Sequence, residues 1–215
     1  MARLETKQKI LNTAEQLFAE QGFSETSLRQ ITAAAGVNLA SVNYHFGSKK
    51  DLIKAVMDRY LALFMPKADA ALSLLLSAPT LTLTEVFACF IEPLLSLNSV
   101  RRQGPEIFLQ LLGRGYIDNQ GFLRWFIVNH YGQVLAHFTQ AIQKAAPELS
   151  KAEVFWRLHF TLGTVVFTLA SSEALRDIAK NDFNEDIDVA GLMYRLIPYL
   201  AGGMSTATEL VDLPN

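Results

Sequence analysis

Helical periodicity dominates the hydrophobic pattern of this chain. Between Glu5 and Gln21, apolar residues lie three and four positions apart, as on one face of a helix, at Ile10, Leu11, Ala14, Leu17 and Phe18. Gly22 follows directly, where a left-handed residue would end that helix. The same spacing recurs in the later segments, and together they predict an all-α protein of about nine helices.

A short second helix is predicted inside the segment Thr26–Lys50, which reads TSLRQITAAAGVNLASVNYHFGSKK. Ser27 and Gln30 have the spacing of a capping box, with Thr26 as an alternative cap, and Gly36 ends the helix. A hydroxyl at a helix start also suits a phosphate oxygen. Thr26 and Ser27 are therefore open to two interpretations, helix capping and phosphate binding.

The third helix follows after a tight turn. Asn38 can cap it, it extends from Leu39 to His45, and Val42 and Phe46 face the core. Two short helices hinged at a glycine are the outline of a helix-turn-helix, which places its second helix in the major groove of DNA. The segment therefore predicts a DNA-reading unit.

Short polar and small apolar side chains cover the rest of the third helix. Asn43 can pair bidentately with an adenine edge, and Leu39 can contact thymine methyl groups. Because no lysine or arginine lies within this helix, any guanine contact falls to Arg29 on the second helix. Tyr44 and His45 are expected to reach the sugar-phosphate backbone, and Lys49 and Lys50 are expected to lie beside the same phosphates. The predicted DNA-binding residues are Thr26, Ser27, Arg29, Asn38, Leu39, Ser41, Asn43, Tyr44, His45 and Lys49.

The order of the motifs LFAEQGF, TSLRQI, AAAGV and VNYHFGSKKDL resembles the amino-terminal DNA-binding domain of the TetR family of repressors, over residues 8–56. This resemblance implies an all-helical homodimer in which three amino-terminal helices bind DNA. It also implies that the remaining helices form a ligand-binding dimer body, from which a small effector releases the DNA. Asn43 departs from the family, where many relatives carry an aromatic residue, so its position is carried over and its contact is not.

The domain boundaries expected from this resemblance are 1–47 for the helix-turn-helix domain and 48–215 for the ligand-binding and dimerisation domain. A long fourth helix, 48–76, connects the two and begins with Ser48 as its cap. Pro66 lies inside it and should kink or split it. Two interpretations of Pro66 stay open, a hinge for the reading head and a simple packing device.

The remaining residues predict a helical bundle. Thr82 with Glu85 and Ser150 with Glu153 form two further capping boxes. Helices are expected over 86–95, 107–115, 120–145, 154–179 and 187–204. Such a bundle needs an apolar core of its own, so each aromatic position in it is first of all a packing residue.

The excess of aromatic residues in the bundle has a second interpretation, a hydrophobic effector pocket. With 14 phenylalanines in the chain and an apolar body that contains few internal charges, a cavity there would suit a long aliphatic or aromatic molecule. Arg101, Arg102, Arg114 and Arg124 are candidates to meet an anionic group of such a ligand at the mouth of the pocket, and the default interpretation is that these arginines are solvated. The predicted ligand-binding residues are Phe87, Phe90, Ile91, Leu94, Phe108, Leu111, Trp125, Phe126, Val134 and Phe138.

A narrower resemblance bears on the chemistry of that ligand. The patterns ETSLRQIT, AGVNLASVNYHFGSKKDLI, FWRLHFTLG and LIPYLAGGM resemble the PsrA-type repressors of the same family. This resemblance implies control of fatty-acid degradation genes and a response to a long-chain fatty acid or its CoA thioester. The alternatives are another apolar or aromatic effector, or a body used only for dimerisation.

The last two long helices are expected to form the homodimer surface, because their apolar faces exceed what one small bundle can cover. A dimer would set two reading heads about one DNA turn, ~34 Å, or more apart on a palindromic operator. The predicted interface residues are Phe160, Gly163, Thr164, Phe167, Leu192, Leu196 and Leu200.

Composition and charge agree with this division. The net charge is −2, but residues 1–60 hold eight basic against six acidic residues, so the reading head is slightly basic on an acidic body. The amino terminus lacks the apolar run of a secretory signal, and no apolar run of about 18 residues indicates a membrane span. With one cysteine, Cys89, no internal disulfide is possible. We expect a cytoplasmic protein with no membrane partner.

Enzymatic chemistry is not predicted. His130 and His137 share a helix face, but no cysteine or carboxylate completes a zinc-like set with them, so no metal or other cofactor is expected. The sequence contains no glycine-rich phosphate loop, nucleophile elbow or HExxH motif. A lipid-modifying enzyme of all-helical fold is the rival from another class, and it would require catalytic carboxylates or histidines around the cavity.

Overall fold

The computed structural model describes residues 2–118 and 121–206, without the side chains of residues 2 and 3. Its regular structure in these residues is helical with no strand, which confirms the predicted all-α class. The helices are α1 Ala2–Gln21, α2 Leu28–Ala35, α3 Leu39–Phe46, α4 Lys49–Ser77, α5 Leu83–Ala88, α6 Ile91–Leu95, a 3-10 turn Ser96–Ser99, α7 Gly104–Ile117, α8 Gly121–Ala145, α9 Lys151–Ala170, α10 Ser172–Phe183 and α11 Val189–Ser205.

Local capping interactions begin the helices where the sequence predicts. The Ser27 hydroxyl accepts from the Gln30 N–H at 3.2 Å, and the Gln30 side-chain oxygen accepts from the Ser27 N–H at 2.6 Å. The capping boxes at Thr82 and Ser150 are formed in the same reciprocal way. A cap of this kind is worth about 0.5–2 kcal/mol, which is enough to decide where a helix begins.

Helices α1, α2 and α3 pack into a three-helix head around a fully buried apolar centre. Phe18 and Phe23 meet edge to face with ring centroids 5.2 Å apart. Ile10, Ile31 and Val42 fill the space between the three helices and are also fully buried. Burial of one such side chain contributes roughly 1.5–3 kcal/mol, so this centre holds α3 firmly from behind.

Helix α4 continues through Pro66, so the proline does not split it. Pro66 is exposed, whereas Met65 and Ala68 beside it are buried against the body. Packing on that side holds the helix together across the missing N–H.

By length and composition alone α4 could also cross a membrane, contrary to our expectation, as could two pairs of sharply bent helices if each were one span.

The described residues form eleven α-helices where the sequence predicts about nine for the chain, because two predicted helices of the body are divided. The segment 86–95 breaks at Cys89 and Phe90 into α5 and α6. Pro93 explains this break, since it has no N–H for the Cys89 carbonyl and its ring crowds that oxygen. The segment 154–179 breaks at Ser171 into α9 and α10, which are bent by 69° at a pair of serines.

Within the body, α4 packs against α8, α7 against α9, and α5 against α11. Helix α8 is interrupted at Tyr131, whose φ of −128° and ψ of 21° are not helical. The Tyr131 hydroxyl donates to Asp58 on α4 at 2.8 Å, so the irregular turn is tied to the helix that leads to the head. The predicted start of α8 at Gln120 lies outside the described residues, as do residues 207–215.

Candidate nucleic-acid interface

The turn between α2 and α3 depends on one glycine. Gly36 has a φ of 61°, in the left-handed region, and its N–H bonds to the Ala33 carbonyl. The next N–H, of Val37, bonds to the Thr32 carbonyl at 3.0 Å. These bonds satisfy carbonyls at the end of α2 and turn the chain so that α3 crosses it, which is the arrangement of a helix-turn-helix.

The outer face of α3 carries the side chains that the sequence assigns to base reading. Leu39 is 43% exposed and Tyr44 is 67% exposed, and Asn43 between them is exposed as well. Val42 is fully buried and Phe46 packs against the core, as predicted. A side chain can therefore leave α3 toward a DNA groove at Leu39, Asn43 and Tyr44 without disturbing the head.

The Asn38 side chain forms hydrogen bonds with the Ser41 side chain and with the backbone at the start of α3. The Asn38 side-chain oxygen accepts from both the Ser41 N–H, at 2.8 Å, and the Ser41 hydroxyl, at 2.9 Å. The groups left to meet DNA are the Asn38 amide nitrogen and the lone pairs of the Ser41 oxygen. These two residues therefore cap α3 first, and Asn43 is the better placed of the polar residues to read a base.

Thr26 is a correction to the predicted set. It is fully buried, and its hydroxyl donates to the carbonyls of Gly22, at 2.8 Å, and Leu17, at 3.2 Å. A side chain enclosed in this way fastens the loop to the end of α1 and cannot reach a phosphate. Ser27 beside it is exposed, with its hydroxyl in the capping box.

Arg29 is exposed on α2, and His45 is half-buried at the end of α3. The rings of His45 and Tyr44 meet edge to face with centroids 5.2 Å apart. Both residues lie on the outer side of the head, where a sugar-phosphate backbone would pass if α3 lay in the groove.

Lys49 departs from its predicted orientation. Its ammonium donates to the Ser24 carbonyl at 3.3 Å, so the side chain is folded over the loop that leads into α2. Burial lowers the pKa of Lys49, and the negative charges of Asp118 and Glu25 act in the opposite direction. In this conformation the amine is held at the loop before α2 by the Ser24 carbonyl.

The sequence did not reveal the polar contacts that join the head to the body. Asp118, at the end of α7, accepts from the N–H of Ser24, 94 positions earlier in the chain. Glu15 of α1 is 1% exposed and pairs with Arg59 of α4 and Arg101 ahead of α7. Arg101 is thereby engaged in an ion pair within the chain, and Arg114 donates to a carbonyl of α1. No spacing in the sequence signals pairs this far apart.

The aromatic residues predicted to line an effector pocket pack on one another in the described chain. The rings of Phe90 and Phe138 meet edge to face with centroids 4.9 Å apart. The ring of Phe64, which was not among the predicted residues, has its centroid 5.5 Å from that of Phe108 and 6.2 Å from that of Phe90. Trp125 is a correction, since it is 62% exposed on the outer side of α8. The remaining predicted pocket residues are buried, and they are Phe87, Ile91, Leu94, Leu111, Phe126 and Val134.

One of the two faces predicted for dimerisation is exposed as expected. On α9, Phe160 and Phe167 are each 66% exposed, Gly163 between them is exposed, and Thr164 is half-buried. Trp156 extends this row, and it is 59% exposed and stacks on Phe160.

The predicted row on α11 is a correction. Leu200 is 6% exposed, and Leu192 and Leu196 pack against the core. The outward residues of α11 are instead Tyr194 and Tyr199, at 61% and 69% exposed. Tyr199 and Phe160 line a groove of about 500 Å³ between α9 and α11.

Other reactive groups of the body are few. Among the residues described, no group of three or more histidine, cysteine or acidic side chains could hold a metal ion. His137 pairs with Asp69 of α4 at 2.8 Å, and His130 contacts the Phe126 carbonyl of its own helix. Burial raises the pKa of the Cys89 thiol to about 12, so this cysteine is unreactive at neutral pH.

Two family models match this chain. Residues 10–56 match "Bacterial regulatory proteins, tetR family", and residues 88–203 match "Tetracyclin repressor-like, C-terminal domain". The HTH-type transcriptional regulator AcrR of Shigella flexneri is 44% identical over 54 residues, which cover 25% of each chain. The chain thus spans only about a quarter of the length of that curated relative.

Solved structures share the whole fold at low identity. A TetR-like transcriptional regulator from Rhodococcus sp. RHA1 superposes with a TM-score of 0.51 at 18% identity, covering 91% of this chain and 93% of the other. The fatty acid degradation regulator FadR from Bacillus halodurans gives a TM-score of 0.51 at 16% identity, covering 94% and 96%. At these identities the likeness concerns the fold alone.

Proposed function

The chain belongs to the TetR family of DNA-binding transcriptional regulators, and we propose that it is a cytoplasmic homodimeric repressor released from a palindromic operator by a hydrophobic effector. In this proposal residues 1–47 read the DNA, and residues 48–215 bind the effector and form the dimer. The helix Lys49–Ser77 joins the two. Family membership supports the role of a transcriptional regulator.

The exposed face of α3 is the observation that carries the DNA-binding part of the proposal. Leu39, Asn43 and Tyr44 are all exposed on α3, whereas Val42 is fully buried. Asn43 suits an adenine edge, Leu39 suits thymine methyl groups, and the Tyr44 hydroxyl suits a phosphate. The set lacks a long cation, so we propose an operator read mainly at A·T pairs.

In vitro selection from a random-sequence duplex pool, followed by titration of the selected duplex, tests this assignment. Asn43→Ala should change the preferred base at one position in each half-site, at a cost of about 1–3 kcal/mol for the original base. Tyr44→Phe should weaken binding to all sequences alike. Glu173→Gln, on the exposed side of α10, is the control. An unchanged selected sequence with Asn43→Ala would remove this residue from base reading.

The dimer part of the proposal is supported by the exposed row of Trp156, Phe160 and Phe167 on α9. Gly163 lies in this row with open space above it, so a second helix can approach closely there. Tyr199 of α11 borders the same groove. A contiguous apolar face of this kind on a soluble regulator favours a symmetric contact with a second copy.

Light scattering after size exclusion tests the interface with two matched variants. Phe160→Arg should give monomers, because it places a charge at the centre of the face. Trp125→Arg changes an equally exposed aromatic residue on another helix and should remain dimeric. A dimer that survives Phe160→Arg would place the interface elsewhere.

For the effector we propose a long-chain fatty acid or its CoA thioester. The supporting features are the uncharged rings of Phe64, Phe90, Phe108 and Phe138 between α4, α6, α7 and α8. These rings pack on one another here, so the effector would have to separate them on entry. That packing also favours a second candidate, a body that serves only for dimerisation.

Thermal unfolding with oleate and with oleoyl-CoA separates the two candidates, with hexanoate as the short-chain control. A ligand at 100 times its Kd stabilises by about 2.7 kcal/mol, which corresponds to a rise in Tm of about 5–10 °C for a chain of this size. Phe138→Trp should reduce this rise by filling the space, whereas Trp125→Phe on the same helix should not. No rise, with operator binding unchanged, would leave dimerisation as the role of the body.

A further inference from the structure

Helix α7 holds the end of helix α1 by two side chains one turn apart. Arg114 donates to the Glu20 carbonyl at 2.9 Å, in the last turn of α1. Asp118 accepts from the Ser24 N–H at 2.9 Å, in the loop that leads to α2. A body helix therefore satisfies backbone groups of the head that the head leaves open.

Lys49 completes this contact from a third helix. Its ammonium donates to the carbonyl of Ser24, the same residue whose N–H is bonded to Asp118. The charge of Asp118 also acts on Lys49 directly. In the loop before α2, the Ser24 N–H is therefore bonded to the residue after α7, and the Ser24 carbonyl is bonded to the first residue of α4.

A second contact lies ahead of the other end of α7. Glu15 of α1 is almost fully buried and pairs with Arg59 at 2.8 Å and with Arg101 at 2.5 Å. Arg101 precedes α7 by three residues, and Asp118 follows its last residue. Helix α1 is therefore fastened to both ends of α7, about 20 Å apart for a helix of this length.

We propose that Asp118 is a positioning residue for operator binding, which fixes the angle of the reading head on the body and thereby the spacing between the two heads of the dimer. This inference rests on the proposed dimeric, operator-binding function. With Asp118 removed, Glu15 at one end of α7 and Arg114 near the other still hold α1, but the loop before α2 loses its bond to α7. The head can then rock on these remaining contacts.

A small rotation is enough to matter. At a lever of about 20 Å, a turn of about 10° displaces the reading helix by about 3.5 Å, which is about one base-pair step. A head that rocks by this amount binds half-sites at several spacings with similar affinity. A head held by Asp118 accepts one spacing.

The test uses the best duplex selected by the wild-type protein from a random pool and its derivatives with one base pair inserted or removed between half-sites. For the wild-type protein, Kd should rise sharply on both derivatives. For Asp118→Ala, the ratio of Kd between shifted and selected spacing should fall by about tenfold or more. Asp118→Asn keeps an acceptor for the Ser24 N–H and should lie between the two. Glu25→Gln removes a nearby charge without touching that bond, and it should keep the wild-type ratio.

A second measurement does not need DNA. Spin labels at Ala33→Cys on α2 and Asn181→Cys on α10, in a Cys89→Ser background diluted with unlabelled protein, report the head-to-body distance. The distribution should be narrow with Asp118 and broader with Asp118→Ala.

The outcomes separate the two proposals. An Asp118→Ala variant with the wild-type spacing ratio and distance width would overturn the positioning role, since a residue of merely structural importance would lower all affinities equally. If the wild-type protein selects no duplex with two half-sites, the dimeric operator function fails. The width of the distance distribution then decides the role of Asp118 alone.

Discussion

Replacing Glu15 by glutamine is the sharpest test of how the head is attached to the body. The Glu15 carboxylate is 1% exposed and pairs with two guanidinium groups, of Arg59 and Arg101. Glu15→Gln keeps the shape of the side chain and removes its charge. The two arginines then face each other without a shared anion, in a place that water reaches mainly through Arg101, whose side chain is 41% exposed.

The size of the effect follows from burial. Removing one partner of a buried ion pair costs about 3–5 kcal/mol, and the solvent access of Arg101 favours the low end of that range. For a chain of this length, a loss of about 3 kcal/mol corresponds to a fall in Tm of about 6–12 °C. Arg101→Gln should cost less, because Glu15 keeps Arg59.

Differential scanning calorimetry on the wild-type protein and these variants measures the effect. Glu20→Gln is the matched control, since Glu20 lies on the same helix and is exposed, with its carboxylate bonded only to Gln16 among the described side chains. It should change Tm by less than about 2 °C. A Glu15→Gln protein that melts within that margin of the wild type would refute the idea that this buried charge fastens α1 to the body.

Three further predictions concern local structure. Gly104→Ala should lower the free energy of unfolding by about 1–3 kcal/mol or more, because a Cβ there would lie 2.0 Å from the Leu97 carbonyl oxygen. Gly132→Ala is the control, since a Cβ at that position has open space. Equal denaturant midpoints for the two variants and the wild type would contradict this prediction. Tyr60→Phe should leave Tm unchanged or raise it slightly, since the buried Tyr60 hydroxyl forms no hydrogen bond of good geometry with the described residues, although the Glu15 carboxylate lies near it; a fall of several degrees would show that the Glu15 contact stabilises the fold. Bonds from Thr82 hold the pKa of Glu85 below its ordinary 4.5, so Glu85 stabilises α5 above that pH and loses this effect as the pH falls. The Tm advantage of the wild type over Glu85→Gln should therefore shrink in acid, and a constant difference would argue against the bond.

The helices and their beginnings were predictable from the sequence, because the interactions that set them are local. Ser27 and Ser150 each bond to a residue three positions later, and Gly36 ends α2 by its own backbone freedom. The pattern of these signals around α3 was also enough to identify the reading head. Pro93 carried an equally local signal for the break between α5 and α6, which the expected single helix overlooked.

The direction of individual side chains was decided only by the tertiary structure. Thr26 and Ser27 are adjacent and chemically alike, yet Thr26 is enclosed by the end of α1 while Ser27 is exposed. On α11, Leu200 belongs to an apolar row that suited a dimer surface, but α5 covers that row from within the chain. Burial depends on which helices meet, and periodicity shows only that a face is apolar.

The sequence by itself determined that this chain is an all-helical regulator with a helix-turn-helix head, because caps, turns and periodicity act over three or four residues. Only the tertiary structure decided what the charged residues do. Lys49 suited a phosphate and is folded onto Ser24, near an aspartate from the far end of α7. Asp118 and Ser24 are 94 positions apart, and their contact exists only once α1, α4 and α7 have packed together.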